Sequence, residues 1–144
     1  MIGLGSLLSA FPDPPEFKHI SDFQLEGMRD EIWIPSFAKD GWILITADGG
    51  KNGTKKGAKL PKVCHAHRMT HIVLSSKLHH QSVKDKILSL AAVWNEIVKL
   101  GEEPLGSRFS LRFNHTGTSV LLVKIELADN GFPIPHRRRR ATEN

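Results

Sequence analysis

The stretch Trp42 to Thr46, WILIT, is a continuous apolar run rich in β-branched residues, bounded by Gly41 on one side and Gly49 on the other. A strand with one wet face alternates apolar and polar residues. An unbroken run instead reads as a strand covered on both faces, which is the habit of parallel sheets with helices above and below. This one feature points to an α/β architecture, and the neighbouring segments fit around it.

Glu31 to Lys39 reads as a helix with Trp33, Ile34, Phe37 and Ala38 on one side, closed by Gly41. Pro35 confines its regular part to the residues after it, or lies within the first turn. Phe17 to Ile20 reads as a short strand, Leu60 to Met69 as a helix and His71 to Ser75 as a strand. The clearest helix spans about His80 to Leu100, with Val83, Ile87, Leu90, Ala91, Trp94, Ile97 and Val98 as one apolar stripe and Gly101 as its stop. Arg108 to Phe113 and Ser119 to Leu127 read as strands joined through Asn114 to Gly117 as a hairpin. Gly3 to Phe11 has the 3-and-4 spacing of a short helix, ended by Pro12, Pro14 and Pro15. The alternation predicts a three-layer sandwich around a mostly parallel sheet, with antiparallel edge strands at the C-terminal side. Residues 1–128 read as one domain and residues 129–144 as a basic, flexible tail.

Composition sets few further bounds. The 144 residues suit one domain with a proper core. The lone Cys64 excludes an internal disulfide and suits a reducing cytoplasm. The N-terminal MIGLGSLLSAF has no basic stretch before it and runs into prolines, unlike a signal peptide. No uncharged run approaches the ~18 residues that span a membrane. The run Arg137 to Arg140 supplies four of the five net positive charges, so the pI of about 9.6 does not by itself make the body a nucleic-acid binder. Charge placement says more: Lys51, Lys55, Lys56, Lys59, Lys62 and Arg68 lie between Gly49 and Thr70 with no acid among them.

Asp48 stands two residues beyond WILIT, and ligands of open parallel sheets collect outside the carboxyl ends of the strands. Asp30 and Glu31 open the preceding helix. If that helix packs with its N-terminus toward the same edge, its acids and Asp48 converge into the hard oxygen set that Mg²⁺ or Mn²⁺ prefers. Such a metal activates water and stabilises the charge that builds at a scissile phosphodiester. The plainer alternatives are that Asp30 is an N-cap, that Glu31 favours the helix dipole, and that Asp48 with Gly49 and Gly50 forms a turn.

The segment RDEIWIPSFAKDGWILITAD, Arg29 to Asp48, resembles the PIN-like family in its acidic pair before a Trp-bearing helix, its Gly-Trp and apolar strand, and its Thr-x-Asp. FKHISDF, HIVLS with the helix after it, and GLGSLL extend the similarity to about two-thirds of the chain. The branch it most resembles holds the VapC-type toxins of toxin–antitoxin modules. The resemblance implies a Mg²⁺- or Mn²⁺-dependent endoribonuclease with an antitoxin partner, and it allows a homodimer. It makes Asp30 and Asp48 metal ligands and Glu31 a supporting acid, with Thr46 hydrogen-bonding near the metal or phosphate. The family's first acid, at the end of a first strand, has no counterpart here, and Gly49, Gly50 and Lys51 stand where many relatives carry another acid. The expectation is a strand with its Asp upstream of Met1. The alternatives are substitution by Asp13, Asp22 or Asp85, or an inactive domain that binds RNA or a protein.

Lys51, Lys55, Lys56 and Lys59 are candidate phosphate contacts beside such a metal, or simply a solvated loop. Cys64, His65, His67 and His71 lack the paired spacing of a zinc site. Arg137 to Arg140 either attracts RNA or an acidic partner, or serves as a solubilising tail.

Overall fold

The computed structural model describes Glu16 and residues 18–47, 59–129 and 133–134, with the side chain of Lys59 outside that description. Asp48, Lys51, Lys55, Lys56, the expected Gly3 to Phe11 helix and Arg137 to Arg140 lie outside the described residues.

Among the described residues four strands form one open sheet: β1 (Leu44–Thr46), β2 (His71–Leu74), β3 (Arg108–Phe113) and β4 (Val120–Ile125), in that spatial order. β1, β2 and β3 are parallel, whereas β4 returns antiparallel to β3 through a hairpin. The helices are α1 (Asp30–Lys39), α2 (Lys59–Ala66), α3 (Ser76–His79), α4 (Val83–Ala92) and α5 (Trp94–Val98), with 3-10 turns at Ile20–Phe23 and Lys99–Glu102.

Register decides what each helix covers, because side chains along a strand alternate between faces. Ile72, Phe109 and Leu111 pack with Leu90, Val93, Trp94, Ile97 and Leu100 on one face, and half-buried Ile43 and Ile45 join them. Leu44 points the other way, into a cluster of Trp33, Ile34, Leu60, Cys64 and Met69 from α1, α2 and the turn after α2. Helices therefore lie on both faces, an arrangement compatible with a three-layer sandwich. Among the described residues no helix is long and apolar enough to cross a membrane.

Several local expectations change. The WILIT strand shortens to Leu44–Thr46 and, among the described residues, lies at the sheet edge and pairs only with β2, and Ile43 and Ile45 stay half-buried although clusters cover both faces. No strand forms at Lys18 to Ile20. The His19 amide donates to Asp22 Oδ2 at 2.8 Å and the His19 ring accepts from the Ser21 amide, which caps a 3-10 turn instead. Phe23 anchors that turn edge-on to Phe37 and Trp42, with centroids 4.8 and 5.8 Å apart.

α1 starts at Asp30, so Arg29 rather than Asp30 is its N-cap, and Pro35 sits inside the helix. Gly41, at φ +79°, lets the chain turn sharply into β1, with the Trp42 amide donating to the Phe37 carbonyl. α2 ends before Met69, where Arg68 takes a left-handed φ of +56°. The single helix expected over His80 to Leu100 starts only at Val83, capped by Ser82, and is broken at Val93, where φ is −108°, into Val83–Ala92 and Trp94–Val98. Val83 and Val98 of the expected stripe are exposed, and Val93 and Leu100 take their places in the core. Beyond β4, Pro133 forms an isolated antiparallel bridge with Leu127.

Candidate functional site

α1 reaches β1 through the tight turn at Asp40 and Gly41, and the two pack along each other through Trp33, Ile34 and Leu44. They are therefore antiparallel, and the amino end of α1 lies at the carboxyl end of β1. Asp30 and Thr46 share that end of the molecule, as the strand-edge argument from sequence requires. Asp48, two residues past Thr46, lies outside the described residues.

The acidic pair divides. Asp30 is half-buried, whereas Glu31 is exposed, with its carboxylate 3.7 Å from Arg29 Nε. Successive helical residues point about 100° apart, which places Asp30 and Glu31 in different surroundings here. Asp22 and Asp85 serve local turns: Asp22 accepts from His19, and Asp85 accepts from the Ser82 hydroxyl at 2.9 Å. Among the described residues no group of three His, Cys, Asp or Glu side chains is placed to hold a metal ion.

What surrounds Asp30 is mixed in charge. The pairing of Leu44 with His71, and of His71 with Arg108, puts Leu44, Thr46, His71, Val73, Arg108 and Ser110 on the face that α1 and α2 cover. Thr46 Oγ1 and His71 Nε2 are hydrogen-bonded at 2.9 Å. His71 is 1% exposed, and burial, followed by the Arg108 guanidinium, pushes its pKa down to about 3. It is a neutral hydrogen-bond partner at pH 7. Thr46 is thus engaged with an imidazole, a use that the expected role beside a metal or phosphate did not include.

Cys64 lies under the same cover. Burial pushes its thiol up to about 12, Arg108 pulls it down, and Asp30 pushes it up again. The thiol is protonated and unsuited to nucleophilic work at neutral pH. Asp30 and Arg108 act in opposite directions on this thiol, so the carboxylate and the guanidinium both lie within electrostatic reach of Cys64. A guanidinium only 5% exposed needs such an anion, because an uncompensated charge there would be strongly destabilising.

Sequence reading missed Arg108 and the buried part played by His71. The signal was present in RFSLRF: Arg108, Ser110 and Arg112 alternate with Phe109, Leu111 and Phe113, so one face of β3 is polar. His65 and His67 do not join His71, since His67 is exposed just past the end of α2 while His71 is buried on β2. A cavity of about 360 Å³ lies elsewhere, at the amino end of β1 between Trp42, Ile43, Ile45, Trp94 and Ile97.

No protein-family model, curated protein or solved structure matches the chain.

Proposed function

We propose that the chain is a PIN-like domain that acts on RNA at the carboxyl edge of its sheet, as the metal-dependent endoribonuclease toxin of a cytoplasmic toxin–antitoxin pair. The observation that carries this reading is Asp30: a half-buried acid at the start of α1, at the end of the sheet from which the chain runs on to Asp48. The Thr46–His71 hydrogen bond holds the end of β1 against β2 beside it. Asp48 and the Lys51, Lys55, Lys56 and Lys59 loop complete the proposal from sequence, with an antitoxin as protein partner and a homodimer as the assembly.

The described donors do not by themselves fit Mg²⁺ or Mn²⁺. One carboxylate faces inward, it shares its surroundings with a guanidinium, and Glu31 is turned away. A second reading follows from that shortfall of ligands: a domain that binds RNA or a protein without cleaving it.

Incubation of labelled single-stranded RNA with the full chain in Mg²⁺, Mn²⁺ or EDTA separates the two. Cleavage that needs metal and is lost in both Asp30→Asn and Asp48→Asn supports the nuclease. Metal-dependent cleavage that survives Asp48→Asn sinks the site assignment. Binding without cleavage under any metal leaves the binding module.

A further inference from the structure

Residues 49–84 contain no acid, and neither do residues 104–125. The fold brings parts of these two acid-free stretches together. β2 ends at Leu74 and passes through Ser75 directly into α3, while the neighbouring β3 ends at Phe113 and enters its hairpin at the same sheet edge. The Ser75 amide donates to the Leu111 carbonyl at 2.9 Å and ties the two together.

Lys77 joins α3 to the hairpin. Its ammonium stands 5.4 Å from the centroid of the Phe113 ring, and a Cβ placed on Gly117 would lie 3.6 Å from Lys77 Nζ. The cation is held over the hairpin tip yet remains exposed. Its neighbours along the chain, His79 and His80, are also exposed, with ring centroids 5.3 Å apart, and His115 is exposed at the hairpin tip.

The tip is stiff. Asn114 Oδ1 accepts from the Thr118 amide at 2.9 Å and from the Thr116 hydroxyl at 3.1 Å, and the Gly117 amide donates to the Asn114 carbonyl. An exposed cation over the hairpin, with exposed imidazoles on the same helical turn and at the hairpin tip and no carboxylate from its own stretches, suits a single-stranded nucleic acid. Backbone phosphates neutralise lysine, and unpaired bases stack on flat side chains, histidine among them.

We propose that Lys77, His79, His80 and His115 form an RNA-binding surface at the carboxyl edge of β2 and β3. Lys77 takes a phosphate, and the imidazoles take the faces of unpaired bases. The surface rests on the RNA reading above but not on cleavage, so binding in EDTA tests it alone.

Fluorescence anisotropy of a labelled 12-nucleotide oligouridylate against the full chain in EDTA gives the readout. Lys77→Ala, which removes one cation from the phosphate backbone, weakens binding about fivefold at ~0.1 M salt and lowers the salt slope by about 0.7. The double variant His79→Ala, His80→Ala weakens it roughly fivefold or more by removing two stacking faces. Lys39→Ala, an exposed charge at the far end of α1, serves as control and stays within about twofold. Lys77→Ala indistinguishable from Lys39→Ala overturns the surface, as does a wild-type chain that binds no RNA or binds duplex RNA equally well. Loss of cleavage in Asp48→Asn with this binding intact leaves the surface standing and bears only on the nuclease reading.

Discussion

His71 joins two facts that pull in one direction: a ring nitrogen bonded to Thr46 and almost no solvent exposure. Unfolded, its imidazole takes a proton near pH 6.5, whereas in the folded protein it resists until about pH 3. Between those values the unfolded chain binds the extra proton. The contribution of His71 is therefore whole above about pH 6.5 and is lost progressively as pH falls toward 3. At its steepest the loss is about 1.4 kcal/mol per pH unit. Urea unfolding of wild type and His71→Gln from pH 7 to pH 4 checks this, and the wild type should lose stability more steeply. Parallel curves for the two proteins would show that the imidazole titrates alike folded and unfolded. At this scale the sequence marked Asp30 and Thr46 as a site but not the company they keep. Arg108 lies far along the chain, and only the β2–β3 register brings it beside His71.

The helices show where local chemistry overrides an apolar stripe. The periodicity from His80 to Leu100 suggested one helix, yet Ser82 offers its hydroxyl as a cap. Ser82 Oγ accepts from the Asp85 amide at 3.1 Å, just as Ser75 Oγ accepts from the Leu78 amide at 3.3 Å at the start of the short helix before it. The cap at Ser82 delays the helix to Val83, which is left outside while Leu78 of the short helix turns fully inward. Ser82→Ala should cost about 1 kcal/mol, read as a lower urea midpoint with an unchanged slope. The mistaken strand at Phe17 to Ile20 has the same kind of cause. His19 and Asp22 satisfy each other's neighbourhood locally, and a ladder partner is not needed. By contrast, the hairpin between β3 and β4 was legible, because strict alternation in RFSLRF and a polar turn through Asn114 to Gly117 leave few other choices.

The whole molecule is organised by a sheet that keeps two apolar clusters apart. Ile34 belongs to the α1–α2 side and Ile72 to the α4–α5 side, and both are fully buried. Ile34→Val and Ile72→Val should each cost about 0.5–1.5 kcal/mol. With the two residues in separate clusters, their double variant should equal the sum within about 0.5 kcal/mol, measured by urea unfolding. A larger departure would mean that the sheet transmits packing strain from one face to the other.

By itself, the sequence determined the elements whose information is local: an apolar run for β1, a one-sided helix closed by Gly41, an alternating hairpin, and the acids that flank them. Periodicity and turn chemistry act over a few residues and can be read without knowing the fold. Only the tertiary structure decided that β1 is an edge strand among the described residues, that Asp30 is half-buried while Glu31 is exposed, and that Arg108 and His71 are buried side by side. It also decided that Lys77 stands over the hairpin. These are consequences of strand order and register, which depend on the meeting of residues distant in the chain, and no local pattern encodes them.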